Sequence, residues 1–84
     1  MELGSIVKSI SGHDKGSFYL VVKLDNKGVY IADGRRRKLA KPKCKNEKHL
    51  MKTNRVVDLA DVDTDKKIRR VLWEYNFPHQ PVAE

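Results

Sequence analysis

Residues 18–32 read FYLVVKLDNKGVYIA, two runs of aromatic and β-branched residues separated by the polar tetrapeptide DNKG. Each run is too short for a helix without caps, and its composition is typical of a β-strand. The tetrapeptide predicts a hairpin connection, in which Gly28 is the residue best suited to a positive φ. The sequence therefore predicts an antiparallel hairpin at the centre of the fold.

Side chains along the first run alternate between two faces, because successive residues of a strand point in opposite directions. The face predicted to form the core carries Phe18, Leu20, Val22 and Leu24. Tyr19 falls on the opposite face, where we expect the C-terminal helix to cover it. In the alternative interpretation, Phe18, Tyr19 and Tyr30 form a platform on which RNA bases stack.

Further short strands are predicted on both sides of this hairpin. The full set comprises residues 5–10, 18–24, 28–32, 35–40 and 48–53, the last with Leu50 turned inward. Gly12 and Gly16 frame a polar loop after the first strand, and Asp33-Gly34 is a second turn signal. Pro42 excludes a helix or a central strand directly after the fourth strand. Five short strands predict a small, mainly β barrel over residues 1–54.

A C-terminal helix is predicted over residues 65–76, packed on the barrel. Its apolar stripe consists of Ile68, Val71, Leu72 and Tyr75, spaced i, i+3, i+4 and i+7. Asp63 or Thr64 can cap the helix, and Asp63–Lys67 and Asp65–Arg69 are favourable i, i+4 pairs. Residues 55–64 form an acidic linker before the helix, and residues 77–84 form a tail. Trp73 lies just off the stripe and either completes the helix–barrel contact or anchors a partner protein.

The positive charge of the chain is concentrated in residues 35–52, which we call the basic segment. It holds nine bases and one acid, Glu47, whereas the other 66 residues sum to −1 of a net charge of +7. This concentration indicates an anionic partner. RNA fits well, because each Lys or Arg can replace a counterion at a phosphate and arginine can grip the phosphate with a planar fork. The competing interpretation is a solvated surface loop.

Composition excludes several other classes of protein. The 84 residues allow one small domain, and they contain no run of 18 apolar residues and no signal-peptide pattern at the start. Cys44 is the single cysteine, so no internal disulfide can form and a cytoplasmic location is expected. The one cysteine and three histidines are scattered and lack the paired spacing of zinc ligands, so no metal site is expected. No nucleotide-binding glycine loop, paired carboxylates or catalytic triad order is present, so we expect no enzyme activity and no cofactor.

Ordered motifs along the chain resemble a known family. In the N-terminal half, residues 4–7 (GSIV), 12–16 (GHDKG) and 20–22 (LVV) resemble a KOW motif, a strand-loop-strand unit of ribosomal and transcription-elongation proteins. The second set resembles the fourteen-e family of large-subunit ribosomal proteins and comprises residues 32–34, the arginine run, residues 43–46 and 48–50, and Thr53. Over residues 2–76 the chain is similar to short bacterial KOW proteins described as RNA-binding. The resemblance implies an SH3-like β-barrel that contacts ribosomal RNA.

The sequence differs from these relatives at two points. His13 stands where they often carry arginine, so one fixed charge becomes pH-dependent. The long C-terminal extension of the eukaryotic members is also missing. An integral ribosomal subunit and a ribosome-associated accessory protein therefore both remain open.

Charge and resemblance together predict a non-catalytic RNA-binding protein, monomeric when free and without a membrane partner. The expected partner is ribosomal RNA of the large subunit, with ribosomal proteins as further partners. The candidate RNA-binding residues are Lys8, His13, Lys15, Arg35, Arg36, Arg37, Lys38, Lys41, Lys43, Lys45, Lys48, His49 and Lys52. The alternative is an SH3-like adaptor of the translation or transcription machinery, in which the basic segment meets an acidic protein and Trp73 is the anchor. A further hypothesis is that the acidic residues 58–65 fold over the basic segment in the absence of RNA.

Overall fold

The structure is a computed structural model that describes residues 1–80. Its elements in this range are the strands β1 (Ser5–Ser9), β2 (Phe18–Asp25), β3 (Gly28–Ala32), β4 (Lys43–Lys45) and β5 (Leu50–Val56), followed by helix α1 (Asp65–Asn76). Short 3₁₀ turns at Glu47–His49 and Leu59–Asp61 precede β5 and α1. The prediction of a mainly β chain with five strands and a C-terminal helix is confirmed.

The strands form one antiparallel sheet in the order β4-β3-β2-β1-β5. Consecutive strands β1 to β4 are neighbours, and β5 returns to pair with the free side of β1. Register shifts between Ser5 and Val7 and between Val21 and Lys23 interrupt the ladders of β1 and β2. Within residues 1–80, β4 and β5 do not pair with each other, so the hydrogen-bonded sheet is open. The predicted closure of the barrel is therefore not observed, and a β4 of three residues offers few backbone groups for it.

Apolar side chains are buried on both faces of the central strands. One cluster consists of Val7, Tyr19, Val21, Val29, Ile31 and Leu50. The second consists of Ile6, Leu20 and Ala32 from the sheet with Val62, Ile68 and Leu72. Burial on both faces explains why the central strands are apolar almost without interruption.

The two faces of β2 are assigned differently from the prediction. Leu20, with Phe18 and Val22 at its margin, packs against the helix, whereas Tyr19 is 2% exposed in the cluster on the other side of the sheet. The expectation that the helix covers Tyr19 is wrong, and Leu24 is exposed instead of lying in the core. Alternation shows which residues share a face, but it does not show which face the helix covers.

Two predicted element boundaries also change. The strand expected at residues 35–40 is wrong, because residues 33–42 form a loop and the chain returns to the sheet only at β4. The last strand continues to Val56, so the acidic linker begins two residues later than predicted. Leu50 is buried, as its predicted inward orientation requires.

Helix α1 has the predicted bounds, and its apolar stripe packs on the sheet as expected. The Thr64 side chain caps the helix by accepting a hydrogen bond from the backbone N–H of Lys67 (3.2 Å). At the other end, the Asn76 amide exchanges two hydrogen bonds with the backbone of Phe18 (2.8 and 3.2 Å). The pair Asp63–Lys67 forms at 3.0 Å. Among residues 1–80, no helix is long and apolar enough to cross a membrane.

Candidate nucleic-acid interface

Residues 33–42, which we call the arginine loop, begin with a tightly bonded turn. Oδ1 of Asp33 accepts hydrogen bonds from the backbone N–H groups of Arg35 (2.9 Å) and Arg37 (3.0 Å). The N–H groups of Asp33 and Gly34 donate in turn to the carbonyl oxygen of Arg37 at 3.0 and 3.1 Å. Asp is well suited to this role, because its short side chain reaches the backbone of the next residues. The three arginines therefore project from a closed turn.

Two residues in the first turns of α1 form hydrogen bonds with the backbone of the arginine loop. The N–H of Leu39 donates to Oδ1 of Asp65 (2.7 Å), and Nη1 of Arg69 donates to the carbonyl oxygen of Gly34 (2.8 Å). Gly34 has φ +76°, and a Cβ there would press on the carbonyl oxygen of Asp65 and lie 2.9 Å from Cγ of Arg69. Asp65 and Arg69 thus each bond the loop and not each other, contrary to the predicted i, i+4 pair.

The loop displays its cations to solvent. Its exposed basic residues are Arg35, Arg36, Arg37, Lys38 and Lys41. Lys38 also reaches back to the carbonyl oxygen of Gly34 at 3.4 Å. Because the backbone is already ordered, an anion that binds these side chains has less conformational entropy to overcome than with a free loop.

Residues 11–17, the glycine loop, lie beside the arginine loop. Both loops occur at the same end of the sheet, because Phe18 at the start of β2 pairs with Lys8, and Leu20 pairs with Ala32 at the end of β3. A cleft of about 430 Å³ lies between them, with Gly16 on one side. The glycine loop carries two further predicted residues, His13 and Lys15, and both are exposed. The fold therefore brings these two residues to the same end as the arginine loop.

Lys45 lies inside the fold and not on the predicted interface. Its side chain is 7% exposed, and Nζ donates to Oδ1 of Asp14 (2.6 Å) and to the carbonyl oxygen of Ser11 (2.9 Å). The Ser9 hydroxyl donates to the same carboxylate oxygen at 2.8 Å. Nζ of Lys43 lies 3.5 Å from the other oxygen, Oδ2, which is buried and accepts no hydrogen bond. These contacts fasten the glycine loop to β4, and we leave Lys45 out of the interface.

The pKa of Asp14 reflects this network. Burial by itself raises the pKa of the carboxyl group, but hydrogen bonds from Lys45 and Ser9 and the charges of Lys45 and Lys43 outweigh burial. The pKa falls from 3.8 to about 2. Asp14 is therefore ionised at every physiological pH, and the network is permanently charged.

The remaining predicted residues lie outside the two loops. Lys8 is half-buried, with Nζ 5.7 Å from the centre of the Phe18 ring. Lys48 and Lys52 are exposed, whereas His49 is half-buried and its carbonyl oxygen accepts a hydrogen bond from the N–H of Ile10 (3.0 Å). The exposed arginine loop thus carries the densest group of predicted cations.

Aromatic residues at the end of α1 contact the arginine loop. The Arg35 guanidinium carbon lies 5.3 Å from the Trp73 ring centre and 4.7 Å from that of Phe77. The two rings are 4.5 Å apart, and Nε1 of Trp73 donates to the carbonyl oxygen of Gln80 (2.9 Å). Trp73 is thus half-buried and packed within the chain instead of projecting as an anchor. Burial of Tyr19 likewise removes it from the platform suggested with Phe18 and Tyr30.

Sequence reasoning found the cations but missed the residues that hold them. Asp33, Asp65, Asp14 and Gly34 support the two loops, and the carboxylates were interpreted as turn, cap or loop residues. Only Asp33-Gly34 carries a local signal, the turn dipeptide. Lys45 lies 31 residues from Asp14 and Leu39 lies 26 residues from Asp65, and no local pattern identifies such contacts.

Comparison with known proteins gives no family assignment. No protein-family model matches the chain, and a search of curated proteins finds no similar sequence.

Proposed function

We propose that this protein is a non-catalytic, cytoplasmic RNA-binding module that docks on structured RNA, in the first place ribosomal RNA of the large subunit. The arginine loop is the observation that carries the proposal. Five exposed cations project from a backbone that is fixed at both ends, and the loop contains one acid, Asp33, which is bonded to the backbone. Such a surface suits phosphates, since most protein contacts to nucleic acids go to the backbone.

We further propose that the sheet is a strongly bent, SH3-like barrel. The return of β5 to β1 supports this, as do the register shifts in β1 and β2, since bulges bend and twist a sheet. Residues 46–49 alone join β4 to β5, the two outer strands. Four intervening spacings of a flat sheet measure about 19 Å. A connection this short therefore favours a sheet whose edges curve towards each other.

Docking is electrostatic in the proposed mechanism. The arginine loop lies along the phosphate backbone, and Lys15 of the glycine loop adds a contact from the side. Each neutralised phosphate lowers the slope of log K against log salt by about 0.7 to 0.9. Five contacts from the arginine loop therefore give an expected slope of about −4.

A protein-interaction adaptor is the weaker proposal. It depends on Trp73 as an exposed anchor, but the Trp73 ring packs on Phe77 and Arg35 and its N–H is bonded. An aromatic anchor buries apolar surface, so its binding would change little with salt. Salt dependence therefore separates the two functions.

Sedimentation of the tagged protein in ribosome gradients of its own lysate tests the proposal. We expect migration with the large subunit at low salt. Release at high salt would identify an accessory factor, and retention would identify an integral subunit. The double variant Arg36→Glu, Lys38→Glu is the control and should stay at the top of the gradient. If the unmodified protein also stays there at low salt, the ribosome is excluded as its main partner.

A further inference from the structure

The cleft between the glycine loop and the arginine loop is more than a gap between cations. Its volume of about 430 Å³ lies within the range of about 300–1,000 Å³ typical of small-ligand pockets. Gly16, Arg35 and Arg36 line the cleft, and so does Phe77, which directly follows α1. A cleft of this size can take one nucleobase, but it is too small for a helical duplex.

One wall of the cleft offers a stacking surface. Arg35 and Phe77 both line the cleft, and the guanidinium lies 4.7 Å from the Phe77 ring centre. Trp73 packs against both, with its ring centre 4.5 Å from that of Phe77 and 5.3 Å from the guanidinium carbon of Arg35. Unpaired RNA bases stack on aromatic rings and on arginine planes, and this pair presents both. The contact also holds Arg35 in place before any ligand arrives.

Residues with hydrogen-bonding side chains also line the cleft. Tyr19 is 2% exposed and contributes to the lining, and it is the one buried tyrosine among residues 1–80. Asp33 lines the cleft as well, and Oδ1 of its side chain accepts the two backbone hydrogen bonds of the loop. A carboxylate there disfavours a bare phosphate but accepts hydrogen bonds from the amino or imino groups of a base. Arg36, an exposed residue that also lines the cleft, supplies the positive charge for the phosphate.

We propose that this cleft binds one unpaired RNA base, which stacks on the Arg35–Phe77 wall while its phosphate meets Arg36. The proposal rests on the proposed RNA-binding function and adds a site that distinguishes an unpaired nucleotide from a continuous duplex. The arginine loop supplies affinity for any RNA backbone, and the cleft supplies the preference for a bulge or a junction. Phosphate contacts alone give no such preference.

Two RNA hairpins with the same stem test the site, one fully paired and one with a single bulged guanosine. Dissociation constants from fluorescence anisotropy should favour the bulged RNA about tenfold, the size expected for one stacked base. The emission of Trp73, the single tryptophan, should change on adding the bulged RNA and stay nearly constant with the paired RNA.

Two charge-conserving variants provide the matched comparison. Arg35→Lys keeps the charge but removes the planar group from the wall, so the preference should fall to about twofold or less. Arg37→Lys makes the same change at an exposed arginine that does not line the cleft, and the preference should persist. Phe77→Leu removes the ring without touching any charge and should behave like Arg35→Lys.

The outcomes separate the site from the proposed function. Equal affinity of the unmodified protein for both hairpins, with binding intact, would overturn the base site and leave RNA binding in place. A preference that survives both Arg35→Lys and Phe77→Leu would overturn it too, since the base would then lie elsewhere. Failure to bind either hairpin at low salt would overturn RNA binding itself.

Discussion

At the scale of single residues, Asp14 shows how a buried charge network fixes a loop. Its carboxylate joins Lys45 and Ser9, and its pKa is lowered to about 2 from 3.8. A carboxyl group whose pKa is lower in the folded state stabilises the fold above its unfolded pKa, and that contribution disappears as the pH falls towards the folded pKa. The pH window of this contribution is therefore about 4 down to about 2.

Asp14→Asn should destabilise the fold by about 2 kcal/mol at pH 7, the free energy that corresponds to this pKa change. The difference from the unmodified protein should shrink as the pH falls from 4 to 2, because the native carboxyl group then becomes neutral as well. Urea unfolding at several pH values measures both effects. Asp63→Asn, at an exposed pair on the helix, is the control and should change stability far less. A pH-independent difference for Asp14→Asn would contradict the assignment.

Alanine substitutions at Gly34 and Gly16 distinguish the cost of backbone strain from the cost of close packing. Both glycines have positive φ, +76° and +94°, but a Cβ on Gly16 meets nothing within 4 Å, whereas one on Gly34 presses on Asp65 and Arg69. Gly16→Ala should therefore cost about 1 kcal/mol from backbone strain alone. Gly34→Ala should cost about 3 kcal/mol, because overpacking adds to the strain. Thermal unfolding of the two variants measures the difference, and equal costs would show that the loop can move away from α1.

At the scale of elements, α1 acts as a support for the arginine loop. Asp65 in its first turn accepts the N–H of Leu39, and Arg69 one turn later bonds Gly34. The acidic stretch was expected either to be solvated or to fold over the basic segment. In the structure, Asp58 caps the 3₁₀ turn before the helix, Asp63 pairs with Lys67, and Asp65 alone of these bonds the loop backbone.

Two substitutions at Asp65 test whether loop order or charge governs RNA affinity. Asp65→Asn removes a negative charge but keeps an oxygen that can accept the Leu39 N–H, so affinity should stay equal or rise. Asp65→Ala removes the same charge and the acceptor, so affinity should be about fivefold weaker than for Asp65→Asn, because the loop must be ordered on binding. Anisotropy titration with one RNA compares them. Equal affinities would mean that charge alone matters and that the fixed loop contributes nothing.

The elements that the sequence predicts well are those with strong local signals. The hairpin around Gly28 and the helix from Asp65 to Asn76 carry their periodicity and punctuation within a dozen or so residues. The prediction of a strand at residues 35–40 is wrong because the Asp33 side chain accepts hydrogen bonds from the backbone of the next residues. These bonds turn the chain and replace the backbone hydrogen bonds of a β-sheet. The prediction that the helix covers Tyr19 is wrong because both faces of β2 are buried. Only tertiary packing decides which of the two faces contacts the helix.

In the candidate site too, features with a local sequence signal are predicted, whereas features that depend on long-range contacts are not. Charge density along the chain identifies residues 35–41, since five cations in seven residues need no structure to be recognised. Lys45 belongs to the same run, yet it turns inward to Asp14 on a loop 31 residues away. Long-range pairing therefore decides which members of a charged run remain available to a ligand.

At the scale of the whole molecule, the exposed cations of the arginine loop lie at one end of the sheet and Lys27 lies at the other. The arginine loop follows Ala32, the last residue of β3, whereas Lys27 directly precedes Gly28, the first residue of β3. Lys23 of β2 pairs with Tyr30 in the middle of that strand. The five residues of β3 separate Lys27 from the arginine loop by about 17 Å. That distance exceeds the screening length of about 8 Å at physiological salt, so the two groups act separately on a bound anion.

Two double charge reversals therefore test whether binding is localised. Arg36→Glu, Lys38→Glu should weaken RNA binding at least about 100-fold at low salt and reduce the salt slope by about 2, because two phosphate contacts are lost. Lys23→Glu, Lys27→Glu makes the same change in net charge in the β2–β3 hairpin, outside the arginine loop, and should weaken binding less than about fivefold. Titrations at several salt concentrations measure both quantities, and thermal unfolding checks that each variant is folded. Equal losses would mean that net charge attracts RNA without a defined interface, since a local surface must respond to where the charge is removed.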